Sequence, residues 1–515
     1  MEIHLNKEHS AILPKLHSFC QKALRLIALC AAALILAGNL YYRVEVSYDG
    51  LELVSISRSI VYNLRILLIT AGMAALFCPF RRMIRNIRPG HLFTGLSLIY
   101  LLFSAYLILN STNVLQADAK SVFSCALLVK NGDYSVFQPT QYLNMYPHQI
   151  GMMLFDLLLS VVSENPSFLF SVNSMMVLGI NFTTWQISRL LWQDENIHLL
   201  TILLSFMFLP QLFFIMFAYG QIPGLFFLLI SIYHTIRYAR EHRAGNLLCL
   251  CLSLAVSVLL RKNNLIGACA ICIFLMVDFL RQRNPRMLLA AICLIASLIL
   301  SDKAVLSFFE AKSETPLDNG CPAVLWVAMG TDIDNHVRCA GWYDHSSYTL
   351  YLEAQANADA AAAQGFAKLS QNVEKMRLRP IETVWFFKNK IVSQWCEPMY
   401  QSVWSGPMLK DTQETYTAFL QSLYSGGDVE NAFEAYCKCV SMLLWVGVLV
   451  YLLACGKHSG WEIAFSYFVG GFLFHIFWEG KSQYIYPYVF CLIPFAACGM
   501  HACLTHKRKK DTGLD

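Results

Sequence analysis

LFTGLSLIYLLFSAYLIL at residues 92–109 and QIGMMLFDLLLSVVS at residues 149–163 flank a polar stretch, and their reading decides how this chain is built. The first is an unbroken apolar run of the length a helix needs to cross about 30 Å of hydrocarbon at about 1.5 Å per residue. The second is shorter and carries Asp156, a carboxyl that is costly in lipid. Loops rich in Lys and Arg stay in the cytoplasm, and residues 81–88, 237–243, 281–286 and the 507–510 tail are such loops. From 81–88 inside, the run at 92–109 emerges outside. Counting back from 237–243 inside, through runs at 221–238, 198–218 and 167–190, puts residues 163–166 outside as well. Block 149–163 thus begins and ends on the outer side, which predicts an interfacial or re-entrant helix instead of a crossing.

Further apolar blocks lie at 23–42, 64–80, 246–260, 264–280, 287–301, 437–455, 462–478 and 484–504. With 149–163 set aside, twelve transmembrane helices remain and both termini are cytoplasmic. The expectation is an all-α polytopic membrane protein. Composition agrees: of 515 residues 56% are hydrophobic and 14% charged, which rules out a soluble enzyme. The net charge of +5 sits mainly in short clusters beside the blocks, so it reads as topology and implies no nucleic-acid partner. Lys15, Lys22 and Arg25 precede the apolar run Leu26 to Ala37, yet the length of that stretch favours an uncleaved first span.

Four sections follow: residues 1–91 with two additional N-terminal helices, 92–301 with a first outer loop at 110–166, a large outer loop at 302–436, and 437–515 with three helices and a basic tail. In the large loop, Leu350 to Arg379 reads as a helix that Pro380 ends. Trp385, Phe386, Phe387, Trp395 and Trp404 suit a position at the headgroup level. Most of the 18 cysteines fall in apolar blocks, where they act as small hydrophobes, Cys269 and Cys272 included. Cys321 and Cys339 share the large outer loop, so a bridge between them stays open.

No phosphate-cradling loop, His-Glu-x-x-His, Gly-x-Ser-x-Gly or dinucleotide fingerprint occurs, which argues against nucleotide-driven transport and zinc proteolysis. The polar residues of the first outer loop stand out instead. They run from Ala117-Asp118-Ala119-Lys120 through Gly132-Asp133-Tyr134 to Tyr146-Pro147-His148-Gln149. Leu260-Arg261-Lys262-Asn263 places a basic pair on the outer side, where the positive-inside trend argues for none. Trp478-Glu479-Gly480-Lys481-Ser482-Gln483-Tyr484 opens the final block and runs on to Pro487.

In this order of features, from about residue 92 to the end, the chain resembles the polyprenyl-phosphate-dependent membrane glycosyltransferases of the GT-C fold, especially the bacterial relatives of protein mannosyltransferases. In that family a span leads to an outer loop with a catalytic acid, then a Gly-Asp/Asn-Tyr stretch and an aromatic-Pro segment. Six spans follow before a second large outer loop. The resemblance implies an inverting transfer of a hexosyl or pentosyl unit from a polyprenyl-phosphate donor to an extracytoplasmic glycan, lipid or protein, at a bacterial plasma membrane and in service of the cell envelope. It assigns catalysis to Asp118 with Asp133, donor-phosphate binding to Arg261 and Lys262, and substrate contacts to Tyr146, His148, Gln149, Glu479, Lys481 and Tyr484. It demands no cofactor and leaves a divalent metal open. Two departures stand: many relatives have two adjacent acids where Asp118 is flanked by alanines, and Arg where this chain has Gln483.

Each residue also has a plainer reading. Asp118 is placed to cap a helix over Ala119–Lys130, and Asp133 to make a turn after Gly132. His148 suits a headgroup or metal contact, or a backbone bond at a helix start. Arg261 and Lys262 read equally as snorkelling side chains, and Glu479 with Lys481 as a solvated pair. The main rival function is a transporter or flippase of lipid-linked saccharides, which would carry intramembrane charge pairs or broken helices.

Overall fold

The computed structural model describes residues 2–47, 52–84, 86–112, 114–318, 320–406, 417–455 and 460–511, with the backbone alone in 2–17, 77–84 and 505–511. The side chains of the basic clusters at 81–84 and 507–510 therefore lie outside the described residues. All twelve apolar blocks assigned to crossings are helical. Among the described residues six helices are individually long and apolar enough to cross a membrane: Ser18–Tyr41, Pro89–Asn110, Gln221–Glu241, Lys262–Gln282, Pro285–Ser313 and Asp428–Ala454. Glu195–Met207 and Pro210–Met216 add a seventh if their 49° bend lies within one crossing. Pro210 has no N–H to continue the ladder, which accounts for the break. Ile60–Leu76, Ala244–Leu260, Trp461–Phe477 and Ile493–Leu504 are apolar but shorter.

Local sequence sets these boundaries. Pro89, Pro166 and Pro285 open their helices in the first turn, where a missing N–H costs nothing. Asn165, Asp194 and Asn284 cap with side-chain oxygens that accept from the N–H two residues on. Lipid solvation is written on the outward faces: Leu98, Leu102 and Leu109 of one helix and Leu289, Ile292 and Ile299 of another are exposed. Inside, helices approach as closely as backbones allow. A Cβ on Gly499 would lie 1.9 Å from the Gly447 carbonyl oxygen, so small residues let Asp428–Ala454 meet the helix Ile493–Asp511.

The two ends of the bundle collect different connections. At one end Gln21 bonds Glu462 at 2.8 Å, Asp194 pairs His501 at 3.0 Å, and Asn284 meets His242 at 3.1 Å. At the other, Arg43 pairs Glu434 at 2.6 Å, Arg338 pairs Glu52 at 2.5 Å, and Lys262 pairs Asp302. These are the connections that charge parity places inside and outside respectively.

Helix Ile150–Ser160 has 11 residues, about 16 Å at 1.5 Å per residue and too short to cross. Its start lies against the end of Ala244–Leu260, where a Cβ on Gly151 would be 2.2 Å from the Leu259 carbonyl oxygen. Its end is held by Lys130, whose Nζ donates to the Ser160 carbonyl at 2.7 Å and to Glu164 at 2.6 Å. Asp156 turns fully into the protein, and neither carboxyl oxygen has a hydrogen-bond partner among the described residues.

The all-helical expectation needs one correction. Arg43–Ser47 and Leu53–Ser57 form an antiparallel hairpin with Arg43 opposite Ser57. Val44 and Val46 face inward and their neighbours outward, the two-residue period of a half-buried strand. The Val54 N–H donates to the Arg338 carbonyl at 3.1 Å, which ties the hairpin to the large outer loop. That loop differs from expectation too. Leu350 to Arg379 is two helices, Ser346–Glu353 and Ala358–Leu378, because the Asn357 side chain starts a new one by accepting from Ala360 N–H. Pro380 then opens Pro380–Trp395. Trp395 is buried against Phe468 and Phe472 at 5.6 and 5.3 Å and anchors the core, whereas Trp385 stays half exposed. Cys321 and Cys339 are both free thiols.

Candidate functional site

Two adjoining cavities, about 330 and 280 Å³, open at the end of the bundle that holds the Arg43–Glu434 and Lys262–Asp302 pairs, and they share His148, Gln149, Tyr219, Trp326, Glu479 and Tyr484. The larger is lined by Asp118, the smaller by Arg261 and Lys262. Together they make one cleft with an acid at one end and a basic pair at the other.

Asp118 sits in the first turn of Ala117–Lys130 and is exposed to the cavity. It does not cap that helix: the N-cap residue is Gln116, which makes no side-chain cap bond. The Asp118 carboxylate accepts instead from the Tyr142 hydroxyl at 3.2 Å. Ala117 before it has φ +47°, a left-handed conformation that is strained for alanine and that aims the first turn into the cleft.

At the other end the Arg261 guanidinium lies between two rings, 5.4 Å from the centroid of Tyr219 and 5.2 Å from that of Tyr484. Among the described residues it forms no ion pair, while the neighbouring Lys262 is neutralised by Asp302. Gln149 donates to the Tyr219 hydroxyl, which steadies that ring. His148 stands between the ends beside the rings of Tyr146 and Trp326. His148 is exposed to the cavity, and its enclosure within the cleft and then the Lys262 and Arg261 cations push its imidazole down, which favours the neutral form.

The floor is the segment Trp478 to Tyr484. Trp478 stacks on Trp326 at 5.9 Å, and the Gly480 N–H donates to the Gly341 carbonyl at 2.8 Å. Beneath it the buried Lys390 clamps the carbonyls of Gly330 and Trp478, the latter at 2.6 Å. Burial pushes the Glu479 carboxyl up to about 7, with Lys481 opposing and Glu52 and Asp118 adding to the rise. Lys481 is raised: burial lowers it, but Glu52, Glu479 and Asp118 outweigh that. Glu397 accepts from the N–H groups of Met399 and Gln401, both at 2.7 Å, and from the Ser482 hydroxyl at 2.6 Å.

Nine of the ten residues singled out from the sequence line this cleft: Asp118, Tyr146, His148, Gln149, Arg261, Lys262, Glu479, Lys481 and Tyr484. Asp133 does not. It is exposed on a turn after Gly132, φ +82°, and its carboxylate accepts from the Ser135 N–H at 2.8 Å. Among the described residues no three His, Cys, Asp or Glu side chains converge as metal ligands, and the ring neighbours of His148 offer none.

Sequence reasoning missed Glu52, Arg338, Tyr343, Trp326 and Tyr219, all on the cleft wall. Glu52 is the most consequential. Fully buried just before the second strand of the hairpin, it pairs Arg338 at 2.5 Å and Lys481 at 3.3 Å and accepts from Gln401. The alternation of Arg43-Val44-Glu45-Val46 was the available signal for the hairpin, but nothing local marks Glu52 as a site residue. Compared with family models and with curated proteins, the sequence matches none.

Proposed function

We propose that the chain is an inverting glycosyltransferase of the GT-C type that moves a hexosyl or pentosyl unit from a polyprenyl-phosphate donor to an acceptor outside a bacterial plasma membrane. The observation that carries this reading is a cleft lined by an exposed carboxylate, Asp118, in one cavity and, in the adjoining one, by a guanidinium, Arg261, that has no ion pair among the described residues. An inverting transfer needs that pair. The acceptor hydroxyl gives its proton to Asp118 as its oxygen bonds the anomeric carbon, and the bond from that carbon to the phosphate oxygen breaks. The departing phosphate keeps the electron pair and is met by Arg261. Neutral His148 and the rings of Tyr146 and Trp326 line the space between, where the sugar would sit.

Twelve crossings with both termini in the cytoplasm belong to the same proposal. Its support is the convergence of cleft residues from six separate connections, near residues 52, 118–149, 219, 261, 326–347 and 479–484, each of which charge parity puts outside. A transporter or flippase of lipid-linked saccharides is the second reading, and the 49° bend before Pro210 favours it. That bend is packed by Tyr400, Tyr486 and Phe490 around Phe208, rings that bind no ion or headgroup.

Purified protein given a panel of polyprenyl-phosphate sugars should consume one of them. Asp118→Asn keeps size and hydrogen bonding but takes no proton, so turnover should fall roughly 10²–10⁴-fold with donor affinity little changed. Undiminished turnover in both Asp118→Asn and Asp133→Asn defeats the catalytic reading, and donor carried intact across a bilayer selects the flippase.

A further inference from the structure

The cleft has a compartment that the donor does not need. The larger cavity, which Asp118 lines and Arg261 does not, is also lined by the Glu52 pair with Arg338 and Lys481. We infer that this compartment is the acceptor subsite and that it takes a neutral sugar residue, so that the protein extends a glycan. The inference rests on the glycosyl-transfer reading for the word acceptor; the binding it describes needs no donor.

Charge selects the ligand class. Two cations, Arg338 and Lys481, face two carboxylates, Glu52 and Asp118, and Glu479 adds a third carboxyl. An anionic acceptor such as a lipid phosphate would meet those acids, with both cations already engaged by Glu52. A cationic acceptor would meet Arg338 and Lys481. A polyol suffers neither penalty, because each hydroxyl both donates and accepts and so can bond the exposed Asp118 carboxylate and the exposed edges of Arg338 and Lys481, which Glu52 holds in place.

Shape agrees with charge. The rings of Tyr142, Tyr146, Trp326, Tyr343 and Trp404 form much of the wall, flat apolar faces against which the C–H faces of a sugar pack. The volume of about 330 Å³ lies at the lower end of small-molecule pockets, roughly 300–1,000 Å³, and suits one or two rings of a chain rather than a length of extended polypeptide. Position agrees: Asp118 lines this compartment and Arg261 the adjoining one, so a hydroxyl held here lies beside the base and in a different compartment from the leaving phosphate.

The test uses full-length protein in detergent without donor. Neutral trisaccharides of glucose, galactose, mannose and N-acetylglucosamine are titrated by calorimetry and tryptophan fluorescence, beside a hexuronate-containing trisaccharide and a Ser/Thr-rich peptide. At least one neutral trisaccharide should bind saturably, and both Glu52→Gln and Tyr343→Ala should weaken it by about tenfold or more, since each removes a charged or ring contact. Thermal unfolding checks that each variant is folded; if Glu52→Gln is not, the partly exposed Tyr343→Ala decides. The inference is overturned if no neutral trisaccharide binds, if binding ignores the folded variants, or if the peptide or the acidic trisaccharide binds in their place. Donor consumption without saccharide binding removes the subsite and leaves glycosyl transfer standing. Saccharide binding by a protein that consumes no donor does the reverse.

Discussion

Arg261 and Lys262 are adjacent in sequence and opposite in circumstance. The lysine is tied to Asp302, whereas the guanidinium lies near the rings of Tyr219 and Tyr484 with no ion pair among the described residues. A lysine at 261 would keep the charge and lose both the ring contacts and the fork that grips a phosphate. Arg261→Lys should therefore weaken binding of a polyprenyl phosphate by about tenfold, and Arg261→Gln by more, in a calorimetric titration. Equal affinity in wild type and both variants would place the phosphate elsewhere. At this scale Asp118 and Arg261 were legible because a charge at the end of an apolar run is conspicuous against its neighbours. Glu52 was not, because Arg338, which gives it meaning, is 286 positions away.

Two elements depend on features of different range. Helix Ile150–Ser160 could be read from parity and length, both properties of the chain alone, and its 11 residues with the Lys130 tie at its end hold it beside the helix that carries Asp118. A cysteine placed at Ser163 should be labelled by an impermeant maleimide added outside intact cells, above the background of the native thiols. Labelling only after permeabilisation would mean that the segment crosses and would reverse every later orientation. The hairpin Arg43–Ser47 with Leu53–Ser57 is the contrary case. Its strands are short enough that alternation competes with the helical runs on either side, and its stability comes from partners in the large outer loop and from Glu434. The break of the Leu350–Arg379 stretch is intermediate: Asn357 is a good cap by type, but only packing selects which of several polar residues starts the helix.

On the scale of the whole molecule, buried ionisable groups under the cleft couple folding to pH. Glu397 and Glu479 are both pushed up to about 7 by burial, from 4.5. A carboxyl raised in the folded state holds a proton that the unfolded chain has released, so its contribution is full below about pH 4.5 and is lost as pH rises through about 7. Lys390, pushed down to about 7 by burial, acts with the opposite slope only above that pH. His148, pushed down from 6.5, opposes this slope below about pH 6.5, so the expected result is a difference: the unfolding temperature of Glu479→Gln should gain on that of wild type as pH rises from 5 to 7. A variant with an unchanged pH profile would show that Glu479 is ionised in the folded protein.

The class of structure was settled by the sequence itself, since hydropathy over about twenty residues and the placement of Lys and Arg act on each segment through its own contact with lipid and the membrane interface. The same local signals pointed to nine of the residues that line the cleft and missed Glu52, Arg338, Tyr343, Trp326 and Tyr219. What only the tertiary structure decided is which of them share a cavity, and what else does: that Asp133 stays on a surface turn, that Trp395 belongs to the core, and that the first hairpin sends Glu52 between Arg338 and Lys481. The Glu52 pairs join residues hundreds of positions apart and the Trp395 packing joins separate helices, relations set by charge pairing and close packing, which no short window of sequence contains.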